Sequence, residues 1–336
     1  MPNSMSEQPR VCMISPFYNR AHGVRSTLES LCAQTYQNVE FLVWDDCSKD
    51  DTWRELQRVS DEIGDPRLRI FRNSTNLGLS AGLNKAMSMT DAKYVAVIGS
   101  GDGCDPERVR LQVEALEADP AAVLCTAGAM TTDIRTGVVF RDTSFHGEVV
   151  RSSDMTDRCA VPHGAVMYRR SDVLALGGYA EALKWCADWD LFNRLLRMGH
   201  GIYIQKILSF RIAQEDGVSF HPQKAFEQLA CKQLVIKLAT LSETDRTNLL
   251  EKVKLHGPIS VVAGENGNFG RDLARRNIKL FLMGRREEAL EMSRLAKSQQ
   301  IAYPGAYNLF LIGARLLASV SKSNYRMIAF ARRFIR

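Results

Sequence analysis

Short apolar runs alternate with segments of helical periodicity between residues 11 and 98, and this alternation leaves few folds open. The apolar runs, which we interpret as strands, cover residues 11–15, 39–44, 68–71 and 94–98. Between them, apolar residues recur at helical spacing over residues 26–34, 51–59 and 79–87. Strands that alternate with helices of about ten residues are typical of an α/β domain with a mainly parallel sheet. We predict such a domain here.

Polar side chains directly follow three of the predicted strands. They are Tyr18 and Asn19 after the first strand, Asp45 and Asp46 after the second, and Asp102 after the fourth. Ligands of open α/β sheets bind at the carboxyl ends of the strands. We therefore predict that these residues belong to one binding site.

The adjacent carboxylates of Asp45 and Asp46 have more than one interpretation. Two like charges this close are costly unless a metal or a hydrogen-bonding ligand neutralises them. The alternative is that they cap the following helix, although Ser48, Asp50 and Asp51 already supply capping side chains.

The chain changes character near residue 222. Residues 126–162 are interpreted as loops, and they are followed by a predicted strand at 165–168 and a helix that begins near Ala187. Farther on lie long helical segments at 225–241, 273–283 and 287–298, with a glycine-rich stretch at 264–270 among them. The predicted domains are residues 1–222, the α/β domain, and residues 223–336, a helical C-terminal region.

The net positive charge of the chain comes from its C-terminal residues. The chain has 44 Lys and Arg against 38 Asp and Glu, a net charge of +6. After Glu291 there are eight Lys or Arg and no acid, so residues 1–291 carry 36 bases and 38 acids, a net of −2. The overall charge therefore indicates a basic C-terminal tail, and it says nothing about which ligand residues 1–291 bind.

The basic tail combines its charge with apolar residues. This composition is typical of a helix on an anionic membrane surface, and we predict that contact for residues 305–336. A helix packed on the protein body is the alternative. The longest apolar stretch, 309–320, contains Arg315 and is shorter than the roughly 20 residues of a spanning helix. No nucleic-acid-binding motif is found in the tail.

Cysteines and the N-terminus indicate the compartment. The eight cysteines are scattered, without a CxxC pair, and the first ten residues are polar. Free thiols and the absence of a signal-peptide pattern are typical of a cytoplasmic protein. We predict that localisation, with peripheral contact to the inner face of the membrane.

Several motifs together resemble family 2 glycosyltransferases, the inverting enzymes of GT-A fold, over roughly residues 9–220. The motifs occur in the family's order and spacing, and they are residues 15–20, 31–38, 44–48, 76–84, 178–179 and 187–191. The resemblance implies a GT-A domain that binds a nucleoside-diphosphate sugar. It further implies that Pro16, Tyr18, Asp45 and Asp46 line the pocket for the nucleotide base, and that Asn84 lies near the diphosphate.

The metal motif departs from the family pattern. That pattern is Asp-x-Asp-Asp after the fourth strand, whereas this chain has Gly99 and Gly101 and keeps only Asp102, with Asp105 nearby. The resemblance implies Mn²⁺ or Mg²⁺ on Asp102, because one carboxylate with phosphate oxygens and waters can hold such an ion. Past Arg211, where many relatives have a metal-binding His, this chain has Ala213 and Gln214.

Asp188 matches the family's catalytic base, with Ala187 in place of the usual Glu. An inverting transfer needs one carboxylate to take the proton of the acceptor hydroxyl. The alternative is that Asp188 caps its helix. Trp185 and Trp189 flank it and either stack on a sugar or belong to the core. His163, a lone histidine before the 165–168 strand, is interpreted as structural.

The functional hypothesis is an inverting glycosyltransferase that acts on a glycan or lipid-linked acceptor, in cell-surface polysaccharide assembly. The alternative is a catalytically degenerate GT-A domain that binds nucleotide or glycan as a membrane-associated scaffold. A nucleotidyltransferase is disfavoured, because residues 16–20 do not form a glycine-rich, basic phosphate loop. Residues 276–296 loosely resemble one tetratricopeptide hairpin, which is too little for a repeat array.

Overall fold

The computed structural model describes residues 8–133, 137, 139–142, 145, 147–213, 221–262, 266–282 and 285–301. The chain divides into two compact units, Met1–Gln214 and Glu215–Arg336. The predicted membrane-contacting segment, 305–336, lies outside the described residues. Within the described ranges, no helix has the length and apolarity that crossing a membrane requires.

The first unit is built on a mixed sheet with helices on both faces. Its strands are β1 (Val11–Phe17), β2 (Val39–Asp45), β3 (Leu68–Arg72), β4 (Tyr94–Val97), β5 (Gly103–Cys104), β6 (Ala122–Asp133), β7 (Val139–Asp142), β8 (Val149–Val150), β9 (Met167–Arg169) and β10 (His200–Ala213). Its helices are α1 (Val24–Cys32), α2 (Thr52–Ile63), α3 (Leu79–Ser88), α4 (Arg108–Ala118), α5 (Arg170–Ala175) and α6 (Ala187–Leu195).

The main path of the sheet has the order β3-β2-β1-β4-β9-β6-β10-β5. β3, β2, β1 and β4 are parallel to one another, β9 is antiparallel to both of its neighbours, and β6 is parallel to β10. Six of the eight strands on this path, all except β9 and β5, therefore run in one direction. The predicted α/β domain with a mainly parallel sheet is confirmed.

Both faces of the parallel strands are covered, which explains their continuous apolar sequences. Val11 and Met13 of β1 are fully buried with Leu28 of α1 and Leu56 of α2. On the other face α3 contacts β1 and buries Leu83 completely. Strands that are buried on both sides read as unbroken apolar runs. Each such large aliphatic side chain contributes about 1.5–3 kcal/mol by leaving water.

The second unit is helical, as predicted. Its helices are α7 (Pro222–Leu238), α8 (Glu243–Val262), α9 (Asn266–Leu282) and α10 (Arg286–Ser298). The rings of Phe226 and Phe269 meet edge to face at 5.5 Å between α7 and α9. The Asp272 carboxylate of α9 lies 2.8 Å from Lys232 Nζ of α7. The unit thus has its own apolar contact and its own half-buried ion pair.

Three local expectations were wrong. Residues 122–133 form a central strand, β6, although its alanines and glycine have low strand propensity, because Ala127 and Ala129 are buried in the sheet. The strand expected at 165–168 begins only at Met167, since His163–Ala165 form a 3-10 turn. Residues 266–270 of the glycine-rich stretch belong to α9.

Candidate active site

Asp45 is fully buried at the carboxyl end of β2 and is paired with an arginine. Its Oδ2 lies 2.9 Å from Nε of Arg72, whose side chain is 42% exposed. The backbone N–H of Ser48 donates to the same carboxylate at 3.1 Å. Arg72 stands directly opposite Asp45 in the β2–β3 register, so the fold itself brings the pair together. A buried charge at this position is therefore compensated.

Asp46 binds the loop that precedes α3. Its Oδ1 accepts hydrogen bonds from Asn73 Nδ2 at 2.8 Å and from the backbone N–H of Leu77 at 2.9 Å, and its Oδ2 accepts from the N–H of Gly78 at 2.9 Å. Neither Asp45 nor Asp46 caps α2, where the Asp50 carboxylate accepts from the N–H of Thr52 at 3.0 Å.

The loops after β1 and β2 are tied together by Asn19. Its backbone N–H donates to Ser48 Oγ at 2.8 Å, and its Oδ1 accepts from the N–H of Lys49 at 2.9 Å. Tyr18, next to it, is 41% exposed, and Pro16 pairs with Trp44 in the sheet. Pro16, Tyr18 and Asp45 thus stand at the same edge of the sheet, at adjacent strand ends.

The Asn84 side chain is occupied by the loop around Tyr179. Its Oδ1 accepts from the N–H of Tyr179 at 2.8 Å, and its Nδ2 donates to the Tyr179 carbonyl at 3.0 Å. Gly178 has a φ of +75°, and a Cβ atom there would overlap Asn84 Oδ1. Asn84 therefore fixes the 177–179 loop against α3, and its location next to a diphosphate stays a prediction.

The Gly99–Asp102 loop is held tightly against α1. Thr27 Oγ1 accepts from the N–H of Gly101 at 2.9 Å and donates to the carbonyl of Asp102 at 2.9 Å. Gly101 has a φ of +85°, and a Cβ on Gly23 would lie 2.6 Å from Gly101 Cα. This left-handed, closely packed backbone favours glycine at position 101 over the acid of the family pattern.

Asp102 faces the end of β10. Its Oδ1 accepts from the backbone N–H of Ile212 at 3.0 Å. Its Oδ2 lies 2.5 Å from the point that a Cβ on Gly99 would occupy, so the present position of this carboxylate requires a glycine there. Burial raises the pKa of Asp102, while the Ile212 N–H and the charges of Arg211 and Arg108 act in the opposite direction.

The donor set around Asp102 does not fit a metal ion held by the protein. One of its two carboxylate oxygens is bound to the backbone, and within the ranges that the structure describes no three His, Cys, Asp or Glu side chains form a group that could hold an ion. Magnesium and manganese prefer several oxygen ligands in near-octahedral geometry. Mn²⁺ or Mg²⁺ on Asp102 stays a prediction of the resemblance, and no step below depends on it.

His163 lies in the 3-10 turn before β9, at the start of a short hydrogen-bonded chain. Its Nε2 lies 2.9 Å from Oη of Tyr179, which in turn lies 3.2 Å from Oη of Tyr168. Its ring centroid is 6.1 Å from that of Phe192. Burial lowers the pKa of His163, and the nearby charge of Asp188 partly opposes this effect.

Asp188 lies in the first turn of α6 and is half-buried. The N-cap of this helix is Cys186, and among the described residues none donates a hydrogen bond to the Asp188 carboxylate. The carboxylate of Asp190 is instead buried and paired with Arg194 Nη2 at 2.9 Å. Arg194 also donates to the Gly178 carbonyl at 2.8 Å, which ties α6 to the 177–179 loop.

The two tryptophans beside Asp188 differ in their surroundings. Trp189 is buried, and its Nε1 donates to the Met155 carbonyl at 3.0 Å, so it belongs to the core. Trp185 is half-buried, with Lys184 Nζ 5.5 Å from its ring centroid. Of the two tryptophans, Trp185 is therefore the more exposed.

The fold brings several of the candidate residues into electrostatic range of one another. Asp188 acts on His163, and Arg211 of β10 acts on both His163 and Asp102. The sequence interpretation did not include Arg72, the partner of Asp45, or the charge of Arg211 near Asp102 and His163. Both are placed by strand pairing between distant segments, which local patterns do not reveal.

Residues 12–173 match the family described as Glycosyl transferase family 2. Over 207 residues the chain is 29% identical to the putative glycosyltransferase EpsE of Bacillus subtilis (strain 168), a match that spans 61% of this chain and 73% of that protein. Over 109 residues it is 28% identical to the UDP-Glc:alpha-D-GlcNAc-diphosphoundecaprenol beta-1,3-glucosyltransferase WfaP of Escherichia coli, spanning 32% of this chain and 42% of that protein.

A solved structure resembles this one over nearly its whole length. It is the mannosyltransferase PcManGT from Pyrobaculum calidifontis in complex with GDP-Man and Mn²⁺, with a TM-score of 0.57 and 16% sequence identity. The superposition covers 98% of this chain and 86% of that one. At this identity the likeness establishes a shared fold.

Proposed function

Since the chain belongs to glycosyl transferase family 2, with the GT-A fold that the resemblance implied, we propose that it transfers a sugar from a nucleoside-diphosphate sugar with inversion at the anomeric carbon. Glycosyl transfer is the family's activity. The observation that carries the finer proposal is the Asp188 carboxylate, which is half-buried and accepts no hydrogen bond from the described residues. A carboxylate in that condition is available to a substrate hydroxyl.

The donor pocket is proposed at the ends of β1 and β2. PcManGT was solved with GDP-Man, and WfaP is named for UDP-Glc, so both similar proteins use nucleoside-diphosphate sugars. The carboxylate of Asp45 is the proposed acceptor for a base N–H, and because it is fully buried against Ser48 and Arg72, the exposed Arg72 side chain has to move aside for that contact. The exposed ring of Tyr18 offers a flat apolar surface beside it.

The transfer itself needs one proton acceptor. Asp188 takes the proton of the acceptor hydroxyl as that oxygen attacks the anomeric carbon on the face opposite the leaving group. The bond from the anomeric carbon to the phosphate oxygen breaks, and the nucleoside diphosphate leaves with the electron pair. No covalent enzyme intermediate is formed in this single displacement.

The acceptor is proposed to be a glycan or a lipid-linked sugar in polysaccharide assembly. This part of the proposal is supported by WfaP, whose name describes a diphosphoundecaprenol-linked sugar as its acceptor. The half-buried Trp185, three residues before Asp188, supplies an aromatic surface for a sugar ring.

The test is release of nucleoside diphosphate from a panel of nucleotide sugars that includes UDP-Glc and GDP-Man. We expect Asp188→Asn to lower the rate by roughly a hundredfold or more, the range of a general base. Asp157→Asn, which removes one negative charge at an exposed position, is the matched control. An Asp188→Asn variant with the wild-type rate would contradict the proposed mechanism.

A non-catalytic scaffold is the second candidate, and the Gly99–Asp102 loop is the observation that favours it. Glycine stands at two positions of the family's acidic motif: Gly101 has a φ of +85°, and a Cβ on Gly99 would lie 2.5 Å from Asp102 Oδ2. A scaffold would bind nucleotide and give no release from any donor of the panel, even with a glycan present. Turnover that depends on Asp188 excludes it.

A further inference from the structure

Polar side chains of α1 bind the backbone of the segment that follows β4. Thr27 and Ser30 stand three residues apart on α1, and Gln34 follows just after the helix ends. Residues three apart on a helix share one face. Ser30 Oγ accepts from the backbone N–H of Cys104 at 2.7 Å, and Gln34 Nε2 donates to the carbonyl of Asp105 at 2.8 Å. This face of α1 therefore determines where the segment lies.

The Thr27 hydroxyl binds the two residues at the turn of this segment. It accepts from the N–H of Gly101 at 2.9 Å and donates to the carbonyl of Asp102 at 2.9 Å. The N–H of Asp102 donates to the carbonyl of Gly99 at 3.1 Å and closes the turn. Thr27 is fully buried, so removal of its hydroxyl leaves two backbone groups without a partner.

The same turn touches the first residues of α1 directly. Gly23 is the N-cap of the helix, and a Cβ atom on it would lie 2.6 Å from Gly101 Cα. The helix itself is anchored in the core, where Leu28 and Leu31 are fully buried. The turn is thus fixed to a rigid element of the protein by close contact as well as by hydrogen bonds.

The Asp102 carboxylate has little freedom of its own, so its position follows that of its backbone. Its Oδ2 lies 2.5 Å from the point that a Cβ on Gly99 would occupy and 3.7 Å from the corresponding point on Gly164. Its Oδ1 accepts from the N–H of Ile212. A shift of the turn therefore moves the carboxylate, and misplacing a functional group by about 1 Å can lower a rate by about a hundredfold.

We infer that Thr27 is a positioning residue of the proposed transfer, which holds the backbone of Asp102 against α1 so that this carboxylate is in place before the donor binds. Thr27 itself touches no substrate. The inference rests on the proposed function, since it takes Asp102 to act at the donor site.

The experiment measures kcat/KM for release of nucleoside diphosphate, in buffer with Mn²⁺, from a donor that the wild type uses. Thr27→Val removes the hydroxyl at nearly constant shape, and Thr27→Ser keeps it. The matched control is Ser30→Ala, which removes a hydroxyl that binds the same segment one helical turn farther on. Thr27→Val and Ser30→Ala are also combined with Asp102→Asn. Thermal midpoints show whether each variant is folded.

A second variant displaces the turn by another route. Gly23→Ala keeps the Thr27 hydroxyl and places a Cβ against Gly101. It tests the inference even where Thr27→Val does not fold.

We expect Thr27→Val to lower kcat/KM by roughly ten- to a hundredfold, the range of a misplaced functional group. Gly23→Ala should cause a loss in the same direction. Thr27→Ser should keep most of the wild-type value, and Ser30→Ala should lower the thermal midpoint with a much smaller loss of activity. In the Asp102→Asn background Thr27→Val should cause little further loss, because both changes act through one carboxylate.

Three results would overturn the inference and leave the proposed function in place. They are a wild-type rate in folded Thr27→Val or Gly23→Ala, an equal loss in Ser30→Ala, and a loss from Thr27→Val that is as large in the Asp102→Asn background as in the wild type. If the wild type releases no diphosphate from any donor, the proposed function fails and the inference falls with it.

Discussion

At the scale of single residues, several polar side chains predicted to touch the ligand are used to hold the protein's own backbone. Asp46 accepts three hydrogen bonds from the loop before α3, and Asn84 exchanges two with the backbone of Tyr179. Each such bond contributes about 0.5–1.5 kcal/mol, and a charged partner raises this. A polar residue in a ligand-binding motif is therefore not by itself a ligand contact.

His163 leads to a prediction about pH. Its folded-state pKa is lowered by burial, whereas in the unfolded chain it titrates near its ordinary value of about 6.5. As the pH falls below that value, His163 binds a proton in the unfolded state and stays neutral in the folded state. Stability therefore decreases with falling pH until the folded pKa is reached, by up to about 1.4 kcal/mol per pH unit.

Denaturant unfolding at pH 7.5 and pH 5.5 measures this effect. The wild type should lose more stability between the two values than His163→Gln, in which the titrating group is gone. The groups around His163 that also carry charge are Asp188 and Arg211. Equal losses in both proteins would show that another group is responsible.

At the scale of elements, the 177–179 loop is hydrogen-bonded to both α3 and α6 and so connects these two helices. Gly177 and Gly178 have nearly the same φ, +77° and +75°, but a Cβ on Gly177 meets nothing within 4 Å, whereas one on Gly178 overlaps Asn84 Oδ1. Alanine variants at the two positions therefore distinguish the cost of backbone strain alone from the cost of strain plus steric overlap.

We expect Gly177→Ala to cost about 1–2 kcal/mol, the strain of a left-handed residue with a Cβ. Gly178→Ala should cost more, because Asn84 must also move. In the double variant Gly178→Ala/Asn84→Ala the costs should not add, since the overlapping atom is absent. Free energies of unfolding of the single and double variants give the coupling, and additive costs would contradict the described contact.

The elements show what the sequence could and could not predict. β1, β2 and β4 were predictable because each is a local apolar run buried on both faces. β6 was not, because its alanines become strand residues only between β9 and β10. Likewise Asp102 was recognised by its motif, whereas its bond to Ile212 joins residues 110 positions apart and depends on how distant strands align.

At the scale of the whole molecule, charge is distributed unevenly along the chain, with the positive excess near the C-terminus. Residues 302–336, which lie outside the described residues, contain six Lys or Arg and no Asp or Glu, against a net of −2 for residues 1–291. Each basic residue near an anionic membrane surface contributes about 1 kcal/mol of attraction. The contact predicted for residues 305–336, which contain all six of these charges, is thus electrostatic as well as apolar.

A truncation after Ile301 tests that prediction. Ile301 is buried and its N–H donates to the Ala296 carbonyl, so the cut leaves α10 intact. The full chain should co-sediment with anionic liposomes, less so at high salt, and the truncated chain should stay in solution with its donor hydrolysis preserved. Co-sedimentation that is the same with and without residues 302–336 would refute the predicted contact.

The hydrogen bonds that link Asp46 to the loop before α3, Asn84 to Tyr179, and Arg194 to Gly178 have a joint consequence. Apart from the bond that the Asn73 side chain donates to Asp46, each of these bonds ends on backbone and is between 2.8 and 3.0 Å long, so side-chain substitutions elsewhere do not remove it. Together they fix the distance between the strand end that carries Asp46 and α6, the helix that carries Asp188. We therefore expect substitutions in other loops of the first unit to leave the separation of Asp46 and Asp188 unchanged.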